Sequence, residues 1–219
     1  MYLINIQQLI KMEETQYNVQ FYKESLCKAE NEIKYLHDNG NGKALKDVVG
    51  KAFELHRKRL WEHFGFRVSK ETHGARFDVD WSITYKGELI ALEEDKGHYL
   101  DSCFMERALT GFSKTVNAYI KKNEPLPLLI LHSFTKYKKF NEKLVEDMDT
   151  RKTEIRDEIQ KKLFYTTLTE CDRIKKKWFS KDLYDCYSVN ASEELILKDI
   201  EFIKSLIPVP VPVPVPVSE

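Results

Sequence analysis

Apolar side chains recur with a helical period in the first part of the chain. Between residues 13 and 37 they follow one another at alternating steps of four and three: Tyr22, Leu26, Ala29, Ile33 and Leu36. This spacing predicts a helix with one apolar face, and the segment Asp-Asn-Gly-Asn-Gly at 38–42 ends it. The stripe could form a short dimer seam, but a coiled coil usually sustains more heptads. We therefore expect the helix to pack on the core of its own chain.

A second helix is predicted over residues 44–64, with Gly65 at its end. Its inner side consists of apolar residues and one histidine: Leu45, Val49, Ala52, Phe53, His56 and Leu60. Glu54 lies on the turn that follows Gly50. A glycine at that point would let the helix approach a sheet closely.

The period changes from helical to strand-like after this helix. Apolar and polar residues alternate over residues 77–85, which predicts a strand. Lys86 and Gly87 form a turn, and residues 88–96 return as the partner strand. The centre of the chain is therefore predicted to contain a β-hairpin.

The remaining pattern predicts a helix over residues 101–122 and a strand over 126–134 that is apolar enough to be buried on both faces. From residue 139 the pattern is helical and highly charged, with a short strand over 183–189 and a final helix over 192–206. Proline and valine alternate over 208–217, which predicts an extended polyproline II segment. The order of elements indicates an α/β fold with a helical extension (1–42), one main domain (43–206) and an extended tail (207–219).

Composition narrows the functional classes. The 219 residues contain 35 basic and 35 acidic side chains, so bulk positive charge cannot drive binding to a polyanion, although local basic patches can. Four scattered cysteines without a CxxC spacing suggest reduced thiols. The N-terminus lacks a signal-peptide pattern, and the longest uncharged stretch before the tail, residues 125–135, is too short to span a bilayer. We expect an intracellular protein with no membrane partner.

The acidic residues of the hairpin are arranged in a way that suits metal binding and catalysis. Asp78 and Asp80 lie on the polar face of the first strand, and Glu94 and Lys96, two residues apart, share a face of the second. Convergent carboxylates form the oxygen-rich environment that Mg²⁺ prefers. An ammonium beside them could orient a water or stabilise negative charge on a phosphate.

This arrangement resembles the PD-(D/E)xK signature of restriction-endonuclease-like nucleases. Asp78 or Asp80 would be the first acid, and the motif would continue after the hairpin as Glu94-Asp95-Lys96. In that family the preceding helix often supplies a glutamate, which corresponds to Glu54. The resemblance implies catalytic roles for Glu54, Asp78, Asp80, Glu94 and Lys96, and metal ligation by Asp78, Asp80 and Glu94.

The resemblance covers residues 43–136 and departs from the family where Phe77 stands in place of proline. It implies a restriction-endonuclease-like core of helix, β-hairpin, helix and buried strand, with added N- and C-terminal helices. It also implies a nucleic-acid substrate and dependence on Mg²⁺, for which Mn²⁺ could substitute. We expect an endonuclease that cleaves double-stranded DNA, of the size of a restriction enzyme, with a homodimer as one arrangement. RNA cleavage would use the same core.

Two registers of the hairpin remain open. A two-residue turn places Asp80 opposite Glu93, and the ligands would then be Asp80, Glu93 and Asp95, with Lys96 pointing away. A bulge or a longer loop places Glu94 and Lys96 on the face of Asp80. We favour the second register because a lysine is chemically useful beside the phosphate.

Three basic runs are candidate contacts to the nucleic-acid backbone. The first run is residues 56–59. The second contains Lys136, Lys138 and Lys139, and the third contains Lys175, Lys176 and Lys177. A solvated helix face explains each run equally well. The alternative function for the whole chain is a module without catalysis that binds nucleic acid or contacts another protein through its helices.

Overall fold

The computed structural model describes residues 6–39, 42–70, 79–96, 102–135, 153–169 and 192–208. Five helices and five strands lie in these ranges, so the chain is of the α/β class. In chain order they are α1 (Ile6–Asn39), α2 (Gly42–His63), β1 (Arg67–Ser69), β2 (Trp81–Tyr85), β3 (Glu88–Lys96), α3 (Ser102–Lys122), β4 (Leu128–Thr135), α4 (Thr153–Lys162), β5 (Leu163–Thr169) and α5 (Glu193–Ser205).

The strands form one mixed sheet in the order β1-β2-β3-β4-β5. Strand β2 runs antiparallel to both of its neighbours, β1 and β3, whereas β4 runs parallel to both β3 and β5. A parallel neighbour requires a crossover connection, and helix α3 lies between β3 and β4 in the chain. The predicted order of helix, hairpin, helix and buried strand is present.

The hairpin register contains a β-bulge. Lys86 and Gly87, with φ of 51° and 90°, form a tight turn of the type that favours glycine. Thr84 pairs with Leu89 next to this turn, but Ile83 pairs with Ala91, so one residue of β3 is extra. Beyond the bulge, Trp81 pairs with Glu93. The register therefore shifts by one residue before the acidic end of β3.

Two apolar clusters cover the faces of the sheet. On one face the buried residues come from α1, α2, α5 and the strands, among them Tyr22, Leu26, Ala29, Ile33, Ala52, Phe53, Leu60, Trp61, Ile83, Ala91, Ile130, Ile196, Ile200 and Ile203. On the other face α3 and α4 contribute Phe112, Val116, Tyr119, Ile155 and Ile159 to a cluster with Leu92, Leu129 and Leu131. The apolar stripe of α1 thus packs on its own chain, as predicted.

Several sequence predictions can be compared with these elements. The return strand at 88–96 is confirmed, and β4 is confirmed as a strand buried on both faces through Leu129, Ile130 and Leu131. The first hairpin strand begins at Trp81 rather than at residue 77, and the three-residue β1 was not predicted. The helical pattern expected from residue 139 onward agrees with α4 but is wrong over Leu163–Thr169, where β5 lies. The predicted strand at 183–189 and the segment 209–217 lie outside the described residues.

The interpretation of Gly50 is also wrong. Beyond the backbone of its own helix, a Cβ added at this position would meet no described atom within 4 Å, so the glycine does not serve a close approach of α2 to the sheet. Among the described helices, none is long and apolar enough to cross a membrane.

Candidate active site

The acidic end of β3 presents side chains to both faces of the sheet. Glu93, Glu94 and Asp95 are all buried, at 0%, 7% and 6% exposure. Because strand side chains alternate, Glu93 and Asp95 point to one face while Glu94 and Lys96 point to the other. The two faces have different surroundings and therefore different roles.

Both carboxylate oxygens of Glu93 accept hydrogen bonds from buried side chains of α2. The Arg57 guanidinium donates from Nε to Oε1 at 2.8 Å and from Nη2 to Oε2 at 3.1 Å, and the Trp61 indole donates to Oε2 at 3.0 Å. A bidentate guanidinium–carboxylate pair is the strong form of this interaction. The register that would make Glu93 a ligand on the face of Asp80 is therefore wrong.

The same guanidinium extends the network to α5 and α1. Arg57 Nη1 donates to Asp199 Oδ2 at 2.6 Å, and the Tyr22 hydroxyl donates to the same oxygen at 2.7 Å. Burial raises the pKa of Asp199, and the Arg57 charge partly offsets that rise. Asp95 accepts the indole N–H of Trp81 at 2.8 Å, and burial together with the Glu93 charge raises the pKa of Asp95. One buried polar network thus joins α1, α2, β2, β3 and α5.

This network corrects the prediction for the basic run at 56–59. Arg57 and His56 are completely buried and cannot reach a nucleic-acid backbone. Burial lowers the pKa of His56 well below its ordinary value, and its Nδ1 lies 3.0 Å from the Ser25 hydroxyl. Lys58 is partly exposed, but its ammonium lies 3.6 Å from the Glu62 carboxylate on the next turn.

On the opposite face, the bulge brings Asp80 beside Glu94 and Lys96. One carboxylate oxygen of Asp80 accepts the backbone N–H of Asp95 at 2.8 Å, and the Lys96 ammonium donates to Glu94 Oε1. Burial raises the pKa of Glu94 to about 7; the Lys96 charge opposes this rise, and the Asp80 and Glu54 charges add to it. Burial also raises the pKa of Asp80.

Glu54 belongs to this electrostatic group through α2. Its Oε2 accepts a hydrogen bond from the Lys70 ammonium at 3.0 Å. Lys70 follows β1, and the Ser69 and Ser82 hydroxyls lie 2.9 Å apart where β1 pairs with β2. The pKa of Lys70 is raised by the hydrogen bond to Glu54 and, less strongly, by Asp80. The sequence pattern does not single out Lys70, because this residue follows a strand of only three residues.

The donor set can be tested against Mg²⁺. Carboxylate oxygens are the ligands that this ion prefers, and Asp80, Glu94 and Glu54 supply them. Each of the three already accepts a hydrogen bond from an internal donor. Within the described ranges, no group of three or more His, Cys, Asp or Glu side chains is arranged to hold a metal ion. The carboxylates are therefore chemically suited to Mg²⁺. In this structure, however, each of them accepts a hydrogen bond from a donor of the protein itself.

Some predicted site residues lie outside the described residues. They are Asp78 and all six lysines of the two later basic runs: Lys136, Lys138, Lys139, Lys175, Lys176 and Lys177. Their roles remain predictions, and the choice between Asp78 and Asp80 stays open. The four predicted catalytic residues that the structure describes, Glu54, Asp80, Glu94 and Lys96, act on one another through their charges.

Comparison with known proteins assigns neither a family nor a function to this chain. The chain matches no family model, no curated protein and no solved structure. The function must therefore be argued from the residues of the site.

Proposed function

We propose that this chain is a Mg²⁺-dependent endonuclease that hydrolyses phosphodiester bonds in double-stranded DNA. The observation that carries the proposal is the bulge in β3. It moves Asp80 out of register with Glu93 and brings it beside the acid-x-lysine pair of Glu94 and Lys96. Without the extra residue, the lysine would point to the opposite face of the sheet.

The order of elements supports the same class. A helix with Glu54, a hairpin with the two acids and the lysine, a helix and a doubly buried strand follow one another in the chain. This is the order that the resemblance to PD-(D/E)xK nucleases implies. Since the sheet also contains β1 and β5, the core would be an elaborated form of that arrangement.

Each described side chain has a role in the proposal. Asp80 and Glu94 would hold Mg²⁺ or Mn²⁺ together with Asp78, and the ion would polarise the scissile phosphate and favour ionisation of the attacking water. The Lys96 ammonium would stabilise the charge that develops on the phosphate oxygens. The hydrogen bond from the Asp95 amide keeps Asp80 in a fixed orientation. Glu54 would orient water at the edge of the site.

Binding of DNA requires positive charge outside this acidic group. The chain is neutral overall, so the charge that compensates four carboxylates must be concentrated in local runs. We assign this role to the lysines at 136–139 and 175–177. A restriction-type enzyme is the biological class that suits a chain of this size.

The test is a cleavage assay on supercoiled plasmid. With Mg²⁺ or Mn²⁺ we expect conversion to nicked and linear DNA, and EDTA should abolish it. Retention of DNA binding without cleavage under either metal would support the non-catalytic module instead. Absence of both binding and cleavage, for double-stranded DNA and RNA alike, would contradict a nucleic-acid function altogether.

A further inference from the structure

We propose that the Pro-Val segment at 208–217 docks, within its own chain, on a surface of aromatic and apolar side chains where α1 meets the end of α2. This surface, the aromatic patch, consists of Ile10, Tyr17, Phe21, His63 and Phe64. Of the segment itself, the structure describes only Pro208. The contact would be independent of any nuclease activity.

Helix α1 carries a second apolar stripe besides the one that packs on the core. Ile10, Tyr17 and Phe21 follow one another at steps of seven and four residues, so they share one side of the helix. Ile10 is 58% exposed and Tyr17 is 64% exposed, although both side chains are large and mainly apolar. This side of α1 therefore offers apolar surface to a further contact.

The end of α2 completes the patch with two more rings. The His63 ring stacks on Phe21 with 3.8 Å between ring centres, and its centre lies 5.5 Å from that of Tyr17 and 4.9 Å from that of Phe64. His63 Nε2 lies 2.8 Å from Asn18 Oδ1, which fixes the orientation of the imidazole. Aromatic-lined surfaces of this kind are the ones that bind polyproline II segments.

The segment begins beside the patch. In the last turn of α5, Lys204 pairs with Glu14, which lies in the middle of the exposed stripe of α1. The chain turns after this helix, and Ile207 packs against the same apolar cluster as Phe21 and Phe64. The next residue therefore starts the Pro-Val segment within reach of the patch.

The chemistry of the segment suits such a surface. Residues 208–217 contain no charged side chain, and a valine stands at every second position. Because polyproline II has three residues per turn, these valines are distributed over all sides of the rod, so every side is apolar. Ten residues extend about 31 Å in this conformation. The stripe from Ile10 to Phe21 is about 17 Å long, so the segment can cover it.

The experiment measures how fast a proline-specific endopeptidase releases the tail from the full-length protein, with the fragments followed by mass spectrometry. At low protease concentration the rate reports the undocked fraction. We expect Tyr17→Ala to accelerate release roughly two- to tenfold, because one aromatic contact is lost. The matched control is Tyr35→Ala, which removes a tyrosine that is 66% exposed further along the same helix and should leave the rate unchanged.

A second measurement on the wild-type protein detects the contact directly. Nuclear Overhauser effects between valine methyl groups of the tail and the Tyr17 ring are expected, and they should persist on tenfold dilution. Their absence would overturn the proposal and leave the tail to another partner, and their loss on dilution would overturn it in favour of a second copy of the chain. An unchanged release rate in Tyr17→Ala, or an equal acceleration in Tyr35→Ala, would also contradict docking on the patch.

Discussion

Arg57 is a buried guanidinium that contacts carboxylates from two separate elements. Its partners Glu93 and Asp199 come from β3 and α5, and no part of its side chain is exposed. A charge in this position is tolerated only because both partners are hydrogen-bonded to it. Arg57 therefore holds Glu93 on the face of β3 that packs against α2.

We predict that Arg57→Met lowers the free energy of unfolding by about 3–5 kcal/mol, because it leaves buried carboxylates without a counter-charge. Denaturant unfolding measures the change. Arg67→Met replaces an exposed arginine on β1 and should stay within about 0.5 kcal/mol of wild type. A loss below about 1 kcal/mol for Arg57→Met would contradict the network.

Asp199 gives a pH-dependent prediction. Its pKa is raised by burial, so the folded state binds the proton more tightly than the unfolded chain. The resulting stability is fully present below the ordinary pKa near 4 and is lost as the pH rises through the folded value. In Asp199→Asn, which cannot ionise, the free energy of unfolding should decline less between pH 4 and pH 8.

Denaturant unfolding across that pH range, at constant ionic strength, is the measurement for Asp199→Asn. Glu201→Gln removes an exposed acid from the same helix and should reproduce the wild-type decline. An equal decline in Asp199→Asn and wild type would show that the carboxyl group of Asp199 is not perturbed as described.

At the residue level the sequence identifies the acids but not their faces. Strand alternation separates Glu94 and Lys96 from Glu93 and Asp95 with certainty. Which of the two pairs faces α2 cannot be read from three consecutive acids. The choice depends on Arg57, which lies 36 residues before Glu93 in the chain. The pattern placed this arginine in a basic run, where it would have been a surface residue.

Among the elements, the hairpin is the one on which the site depends. Gly87 has φ of 90°, a backbone conformation in which other residues are strained. Gly50 lies inside α2, and an added Cβ there would meet no described atom within 4 Å outside the backbone of its own helix. The two glycines should therefore respond to substitution in opposite directions.

We predict that Gly87→Ala destabilises the protein by about 1 kcal/mol through strain at the turn. Gly50→Ala should stabilise it by roughly 0.5–1 kcal/mol, because alanine is the better helix former. Thermal and denaturant unfolding measure both changes, and each variant serves as the control for the other. Destabilisation by Gly50→Ala would show that α2 does need the glycine for close packing.

Periodicity predicts most elements but not the register between them. The helices and both hairpin strands follow from periods of 3.6 and two. The extra residue between the Ile83–Ala91 and Thr84–Leu89 pairs leaves no mark on the alternation that could be recognised beforehand. The pattern does not predict strand β5, because a highly charged helical segment leads directly into it. Its run of threonines and aromatics was nevertheless a strand signal.

At the scale of the whole molecule, a neutral chain must separate its charges to bind a polyanion. We predict that affinity for DNA, measured with Ca²⁺ to suppress cleavage, falls linearly with salt on a double-logarithmic plot. Replacing Lys175, Lys176 and Lys177 by glutamine should reduce the slope by roughly 0.9 for each lysine that contacts a phosphate. Binding should weaken for all DNA sequences alike.

The matched control for this triple variant replaces three exposed lysines on α1 and α5. Lys23, Lys198 and Lys204 each pair with a nearby glutamate and should not contribute to the slope. An unchanged slope in the 175–177 variant, or an equal change in the control, would contradict the assignment of that run.

The overall topology was predictable only in part. An α/β class follows from the alternation of helical and strand patterns. The order of five strands does not, since β1 is too short to recognise and the pattern around β5 predicts a helix. The interaction of α1 and α5 with the core depends on Tyr22 and Asp199, which are 177 residues apart. Contacts at such separation have no local signal.

The most direct test of the account is plasmid cleavage by two site variants and their matched controls, each with Mg²⁺. Glu94→Gln and Lys96→Met remove the proposed ligand and the proposed charge-stabilising ammonium, and each should lower the cleavage rate at least roughly a hundredfold while the protein stays folded. Glu194→Gln and Lys198→Met make the same chemical changes in an exposed pair on α5 and should cleave like wild type. Near wild-type cleavage by folded Lys96→Met would contradict the proposed site.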